Sequence, residues 1–142
     1  NYDEIVFCGF GEPTLRLDVI KEVAKKIKDF GGRVRLNTNG HGNVINKRNI
    51  LPELSGLIDE VSVSLNADSS EAYDEICQPL PMFRNGIYEK IKEFIEEAKK
   101  YIPEVQASIV THQRGVDETR CKEIADKDFG VKYRARRYNI VG

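Results

Sequence analysis

Two periodicities alternate along the chain. The apolar run at residues 5–9 is too short for a helix and predicts a strand. Leu17, Ile20, Val23, Ala24, Ile27 and Phe30 then keep helical spacing until Gly31-Gly32, which predicts a helix over 17–30. The same reading gives strands over 33–38, 60–66, 105–111 and 131–137. Ile87, Ile91, Phe94, Ile95, Ala98 and Ile102 mark the longest helix, 87–102, which Pro103 ends. "DSSE" at 68–71 has the form of a capping box and opens a short helix to residue 77, with Pro79 and Pro81 interrupting beyond it. A weaker apolar pattern through Cys121, Ile124 and Ala125 predicts a helix over 117–127. The segment 41–56 is looser, a loop with a short helix at 51–54, and "HQRGV" at 112–116 reads as a mobile loop.

Five strands joined by about four to five helices imply an α/β fold, because connections of this length suit parallel crossovers. The strand faces refine the expectation. Val34 and Leu36 oppose Arg33, Arg35 and Asn37. Val61, Val63 and Leu65 oppose Ser62, Ser64 and Asn66. Val105, Ala107 and Ile109 oppose Gln106 and Ser108, and Tyr133 and Ala135 oppose Lys132, Arg134 and Arg136. A flat parallel sheet covered on both faces would read as continuous apolar runs, and it would bury those arginines at a cost on the order of several kcal/mol each if unpaired. One apolar and one polar face instead predict a partial (β/α) barrel with a curved, mostly parallel sheet.

The chain has 142 residues, fitting one domain over 1–142. With 32% charged residues and a net charge of −1, it carries no global field for nucleic acid or an anionic membrane. No apolar run approaches the ~20 residues of a membrane span. Cys8, Cys77 and Cys121 are an odd, widely spaced set with no CxxC pair, so they read as reduced thiols in a cytoplasmic protein. The chain opens at Asn1, almost directly on an apolar run, as expected of a piece that begins inside a longer protein.

The carboxyl ends of the strands, where α/β sites gather, read Gly9-Phe10-Gly11-Glu12-Pro13-Thr14, Asn37-Thr38-Asn39-Gly40, Ser64-Leu65-Asn66-Ala67 and Val110-Thr111-His112. Gly9-x-Gly11 before a helix is half of a dinucleotide fingerprint. Thr14 replaces the third glycine, however, Pro13 removes an amide donor, and Glu12 would aim negative charge at a pyrophosphate. Reversing the sign of the ligand suits these residues better: a carboxylate beside carbonyl, amide and hydroxyl acceptors favours an ammonium group, as on an amino acid or a molecule carrying one. Equally, Glu12 serves as a cap on the first turn of the helix.

"GFGEPTL", "RLNTNG" and "VSVSLNA", in this order and spacing, resemble the core of a radical S-adenosylmethionine (SAM) enzyme, in particular the radical SAM proteins associated with TatD-type nucleases. The resemblance covers nearly the whole chain. It implies that Gly11 and Glu12 receive the amino group of SAM, that Asn37 and Thr38 help hold the same end, and that Ser64 and Asn66 lie near the ribose or carboxylate. It further implies that Ile109 packs the adenine, and that Arg136, with Arg134, reaches a carboxylate of cofactor or substrate. It implies an oxidoreductase-type reaction, reductive cleavage of SAM to a 5′-deoxyadenosyl radical, which needs a [4Fe–4S] cluster, an electron donor and a small-molecule or otherwise unknown substrate. The CxxxCxxC cluster loop of that family is absent from this sequence and is expected upstream of Asn1, leaving no metal ligand here and this chain alone inactive. The strand at 5–9 would then be an open edge covered by another chain or prone to self-association.

Two other readings stand beside this one. The chain forms a SAM- or metabolite-binding module without radical chemistry, or an RNA-interacting domain using Arg134, Arg136 and Arg137 in "KYRARRY". His41 and His112, each alone in a loop, read as surface residues.

Overall fold

Five strands pair in their chain order, every neighbour parallel, in one curved sheet. The structure is a computed structural model. It describes residues 4–8, 12–77, 86–110 and 117–136, without the side chains of Ile76, Val110 and Arg136. The elements run β1 (Glu4–Phe7), a 3-10 turn (Pro13–Arg16), α1 (Leu17–Asp29), β2 (Arg33–Thr38), α2 (Gly42–Ile45), α3 (Leu51–Leu54) and β3 (Glu60–Ser64). They continue with α4 (Ser70–Cys77), α5 (Ile87–Tyr101), β4 (Glu104–Val110), α6 (Glu118–Glu123), a π-helical turn (Ile124–Phe129) and β5 (Lys132–Arg136). A doubly wound sheet would reverse its strand order at a switch point. The unbroken order 1 to 5 is that of part of a barrel.

The period-two pattern sorts the faces of β2 to β4 as expected, whereas on β5 Tyr133 is half-buried and Ala135 exposed. Val34, Leu36, Val61, Val63, Val105, Ala107 and Ile109 are buried in one core with Ile20 and Ala24 of α1 and Ile91, Phe94, Ile95 and Ala98 of α5. The opposite face stays polar, and Arg33 and Arg35 lie beside carboxylates there, while Arg35 Nε is buried without a hydrogen-bond partner. Arg33 reaches Glu4 at 2.9 Å, Glu104 at 2.7 Å and Glu60 at 3.6 Å, while Lys132 reaches Glu104 at 3.2 Å. Arg35 lies 3.5 Å from Glu4. This lattice laces the amino ends of the strands across the polar face and leaves the carboxyl ends free for other chemistry.

The structure corrects the sequence reading at several points. Val23 is 37% exposed and Phe30 is 90% exposed, although both fit the helical period. Lys21 and Lys28 of α1 reach Glu53 and Asp59, which turns the opposite flank of the helix, with Val19, Val23 and Phe30, towards solvent. The segment 41–56 holds two short helices instead of one. Its order comes from side chains bonding to backbone: Asn43 Oδ1 accepts from Ile50 N at 2.8 Å, and Asn46 Nδ2 donates to the Gly42 carbonyl at 2.8 Å. The cap of α4 is Ser69 and not Asp68, since Ser69 Oγ accepts from Ala72 N at 3.2 Å. Pro79, Pro81 and the 112–116 loop lie outside the described residues.

Candidate functional site

Glu12 is the centre of the carboxyl-end cluster. It follows β1 and caps the 3-10 turn, its side chain accepting from Thr14 N at 3.2 Å. The Thr14 hydroxyl donates to the same oxygen, Oε2, and the Thr38 hydroxyl reaches it across the tip of β2 at 2.5 Å. The other oxygen, Oε1, accepts from Asn39 N at 2.8 Å. All four donors are neutral, and among the described residues no cation pairs with this carboxylate. The tip of β2 is itself locked. Gly40 N donates to Thr38 Oγ1 at 3.1 Å, and Gly40 takes φ +82°. His41 N donates to Asn39 Oδ1 at 2.9 Å.

A second set of groups leads from there to the tip of β3. His41 Nε2 lies 3.0 Å from the Tyr73 hydroxyl on α4. Burial lowers the His41 pKa, with the Glu12 charge acting in the opposite sense. Burial pushes the Tyr73 phenol well above its ordinary range, helped by Cys77, Asp74 and Glu12. Burial likewise raises the Cys77 thiol, while hydrogen bonds from Asn66 and Tyr73 pull it back. Asn66 Nδ2 contacts Cys77 Sγ at 3.9 Å. Asn66 stands at φ +62°, a left-handed conformation that asparagine tolerates better than most non-glycine residues. The Tyr88 hydroxyl holds the next carbonyl, Ala67 O, at 2.8 Å.

The sequence-predicted residues therefore divide. Glu12 and Thr38 meet directly. Asn37 and Ser64 lie on the polar face by register, and each of Asn37 and Asn66 holds a buried Oδ1 with no hydrogen-bond partner. Ile109 does not join them: strand alternation puts it under the helices, fully buried in the core. Arg134 faces the polar side on the exposed strand β5, opposite Ser108. Gly11, His112, Arg137 and the Arg136 side chain lie outside the described residues. His41 is half-buried against Tyr73 and not on the surface, because α2 turns its ring towards α4. Sequence reasoning passed over Thr14, Asn39, His41 and Tyr73. The spacing of Thr14 two residues after Glu12 was the one signal present, since that is where an N-cap carboxylate finds its donor.

The arrangement suits a ligand that carries an amino group. Buried acceptors without donors cost free energy until a ligand supplies the donors. Here two such acceptors and a carboxylate without a cationic partner among the described residues lie at neighbouring strand ends, an acceptor-rich set suited to an ammonium and to hydroxyls. The residues do not fit a [4Fe–4S] cluster. Among the described residues no group of three His, Cys, Asp or Glu side chains could hold a metal, and Cys8, Cys77 and Cys121 are exposed, half-buried and buried on separate elements. Among the same residues no helix is long and apolar enough to cross a membrane.

Comparison with known proteins bears on the same residues. The family model of the Radical SAM superfamily matches residues 1–127. The chain is also similar to the uncharacterized protein MJ0804 of Methanocaldococcus jannaschii, with 30% identity over 108 residues. That match takes in 75% of this chain and 35% of the relative, so the chain spans little more than a third of that protein's length.

Proposed function

The chain belongs to the radical SAM superfamily, and from that premise we propose that it forms the SAM-holding part of an enzyme that cleaves SAM reductively. The observation that carries this reading is the Glu12 carboxylate, fixed by four neutral donors and lacking a cationic partner among the described residues. Glu12 receives the α-ammonium of SAM. The orphaned Oδ1 atoms of Asn37 and Asn66 accept from the ammonium or the ribose hydroxyls, and Ser64 lies on the same face. Gly11 and Arg136 complete the set as the family resemblance implies, and the three strand-end segments support the narrower likeness to the TatD-associated proteins. Ile109, enclosed in the core, has no part in this reading.

When bound together, SAM and a [4Fe–4S] cluster supply one-electron cleavage and hydrogen-atom abstraction from a substrate. The described residues orient the cosubstrate and offer no ligand set for the cluster, so we assign its thiolates to residues outside them, in a cytoplasmic protein served by an external electron donor. The polar face above the Arg33 lattice is the place for a small-molecule substrate. The edge of β1 that has no strand partner among the described residues is proposed to drive self-association, together with the exposed apolar side chains of Ile5, Val19, Val23 and Phe30. Light scattering that finds a monomer at micromolar concentration would end that part of the reading.

The test is anaerobic reconstitution of the full-length protein with iron and sulfide, followed by SAM and reductant. Formation of 5′-deoxyadenosine is expected. Glu12→Gln should weaken SAM binding about 10- to 100-fold, the worth of a charge-assisted hydrogen bond. An intact cluster that never yields 5′-deoxyadenosine rules out the reaction, and an unchanged dissociation constant rules out the role of Glu12.

A further inference from the structure

Thr38 occupies a position that the sheet pattern reserves for an apolar residue. It follows Val34 and Leu36 on the helix-covered side of β2, lies opposite Val63, and is 3% exposed. A buried hydroxyl there costs free energy unless it is bonded. A hydroxyl has one proton to donate, and Thr38 spends it on Glu12 Oε2 at 2.5 Å. Its oxygen also accepts from Gly40 N at 3.1 Å. Thr38 thus has no proton left to donate, and its burial shields it from a ligand, so the direct contact with SAM implied by the family resemblance does not suit it.

Hydrogen bonds are shared unevenly between the two Glu12 oxygens. Oε2 accepts from Thr14 N, Thr14 Oγ1 and Thr38 Oγ1, whereas Oε1 accepts from Asn39 N alone. A carboxylate oxygen has lone-pair capacity for roughly two strong donors, so Oε2 is saturated and Oε1 keeps a vacancy. The Thr14 side of this clamp is buttressed in turn. Asn46 Nδ2 donates to the Thr14 carbonyl at 3.1 Å, and a Cβ on Gly42 would come within 3.1 Å of the Thr14 hydroxyl, so glycine leaves room for it.

We propose that Thr38 is a positioning residue: with Thr14 it anchors Oε2 of Glu12 so that Oε1 is the atom presented to the ligand ammonium. The proposal rests on the reading of Glu12 given above and assigns a division of work within it. The clamp fixes the carboxylate rotation before the ligand arrives, and such preorganisation is gained only by a ligand that carries the amino group.

The test compares two ligands on the cluster-loaded, full-length protein by anaerobic calorimetry: SAM, and an analogue whose α-ammonium is replaced by hydrogen. Thr38→Val is nearly isosteric and keeps the β-branch that the strand favours, while Thr38→Ser keeps the donor. Thr38→Val should weaken SAM about tenfold, within the range for a hydrogen bond to a charged group, and leave the analogue within twofold. Thr38→Ser should restore SAM binding. Thr14→Val removes a donor from the same oxygen and should produce the same split, which keeps the proposal testable if Thr38→Val folds poorly. Equal losses on both ligands, or no loss on either, would overturn the positioning role while Glu12→Gln still separates the two ligands. If Glu12→Gln itself fails to separate them, the reading of Glu12 falls and the proposal with it.

Discussion

Gly40 allows the packing of the β2 tip to be measured apart from its chemistry. The perturbation is Gly40→Ala. Gly40 has φ +82°, and a left-handed conformation costs an L-residue about 1–2 kcal/mol. The new Cβ would lie 3.0 Å from Ile91 Cγ2 and 3.0 Å from Val63 Cγ1. Both neighbours are fully buried, one in α5 and one in β3, so neither can swing into solvent. Overpacking of this kind costs about 1–3 kcal/mol. Alanine returns about 0.4–1 kcal/mol by restricting the unfolded chain. The expected loss is therefore about 1–4.5 kcal/mol, centred on ~3 kcal/mol, read as a fall in the urea midpoint at unchanged m-value. Gly31 supplies the control, because it has φ +78° but nothing within 4 Å of its would-be Cβ. Gly31→Ala should lose only the backbone part, about 1 kcal/mol. If the two variants lose the same stability, the β2 tip is not wedged against α5, and the argument that a rigid tip holds Thr38 and Asn39 against Glu12 loses its support.

Two further outcomes follow from the charges and thiols. Glu53 is held down from 4.5 to about 2, first by its hydrogen bond to Arg48 and then by Lys21. Asp59 is also lowered: burial acts against this, but bonds from Lys28 and Val34 N outweigh it. Depressed carboxylates give stability that is present above the unfolded pKa and lost as pH falls through the folded one, so the urea midpoint should drop between pH 4.5 and 2. Glu53→Gln should flatten that slope by less than ~1 kcal/mol, because its partners are solvent-screened; a wild-type midpoint that stays level over this range contradicts the assignment. Among the thiols, Cys8 is exposed, Cys77 is half-buried with a raised pKa, and Cys121 is buried and pushed up to about 12. Alkylation followed by mass spectrometry should therefore modify Cys8 first, Cys77 slowly and Cys121 only on unfolding. Tyr73→Phe removes a bond that favours the Cys77 thiolate and should slow its alkylation further; faster labelling of Cys77 in that variant would contradict the hydrogen bond.

The faces of the sheet were legible because strand alternation has a period of two, and a sheet buried on one side must obey it. The same rule placed Ile109 and Thr38 under the helices, yet the motif resemblance drew both towards the ligand. For Ile109 the rule holds without exception. Thr38 is the instructive case, since an apolar position filled by a hydroxyl marks a polar partner nearby, and the partner is Glu12, 26 residues earlier. The order of 41–56 could not be read from periodicity, because it comes from asparagine side chains bonding to backbone, which leave no apolar repeat. His41 looked solitary because Tyr73 lies 32 residues away in the chain.

Glu12 raised two readings that seemed to compete, a helix cap and an anionic partner for an amino group. The two roles are compatible, because a carboxylate has two oxygens and the cap uses one. Oε2 takes the cap donor and both threonine hydroxyls, and Oε1 takes a single backbone amide from the tip of β2. A cap alone would leave the side chain free to rotate about its last torsion, exchanging the two oxygens between solvent and backbone. The amide of Asn39 and the hydroxyl of Thr38 come from another strand and tie the two oxygens to different partners. Exchanging them would break both bonds, so the local cap and the long-range clamp together fix the rotation of the carboxylate. Removing the cap donor should therefore weaken an ammonium ligand as surely as removing the strand donor, even though neither touches it.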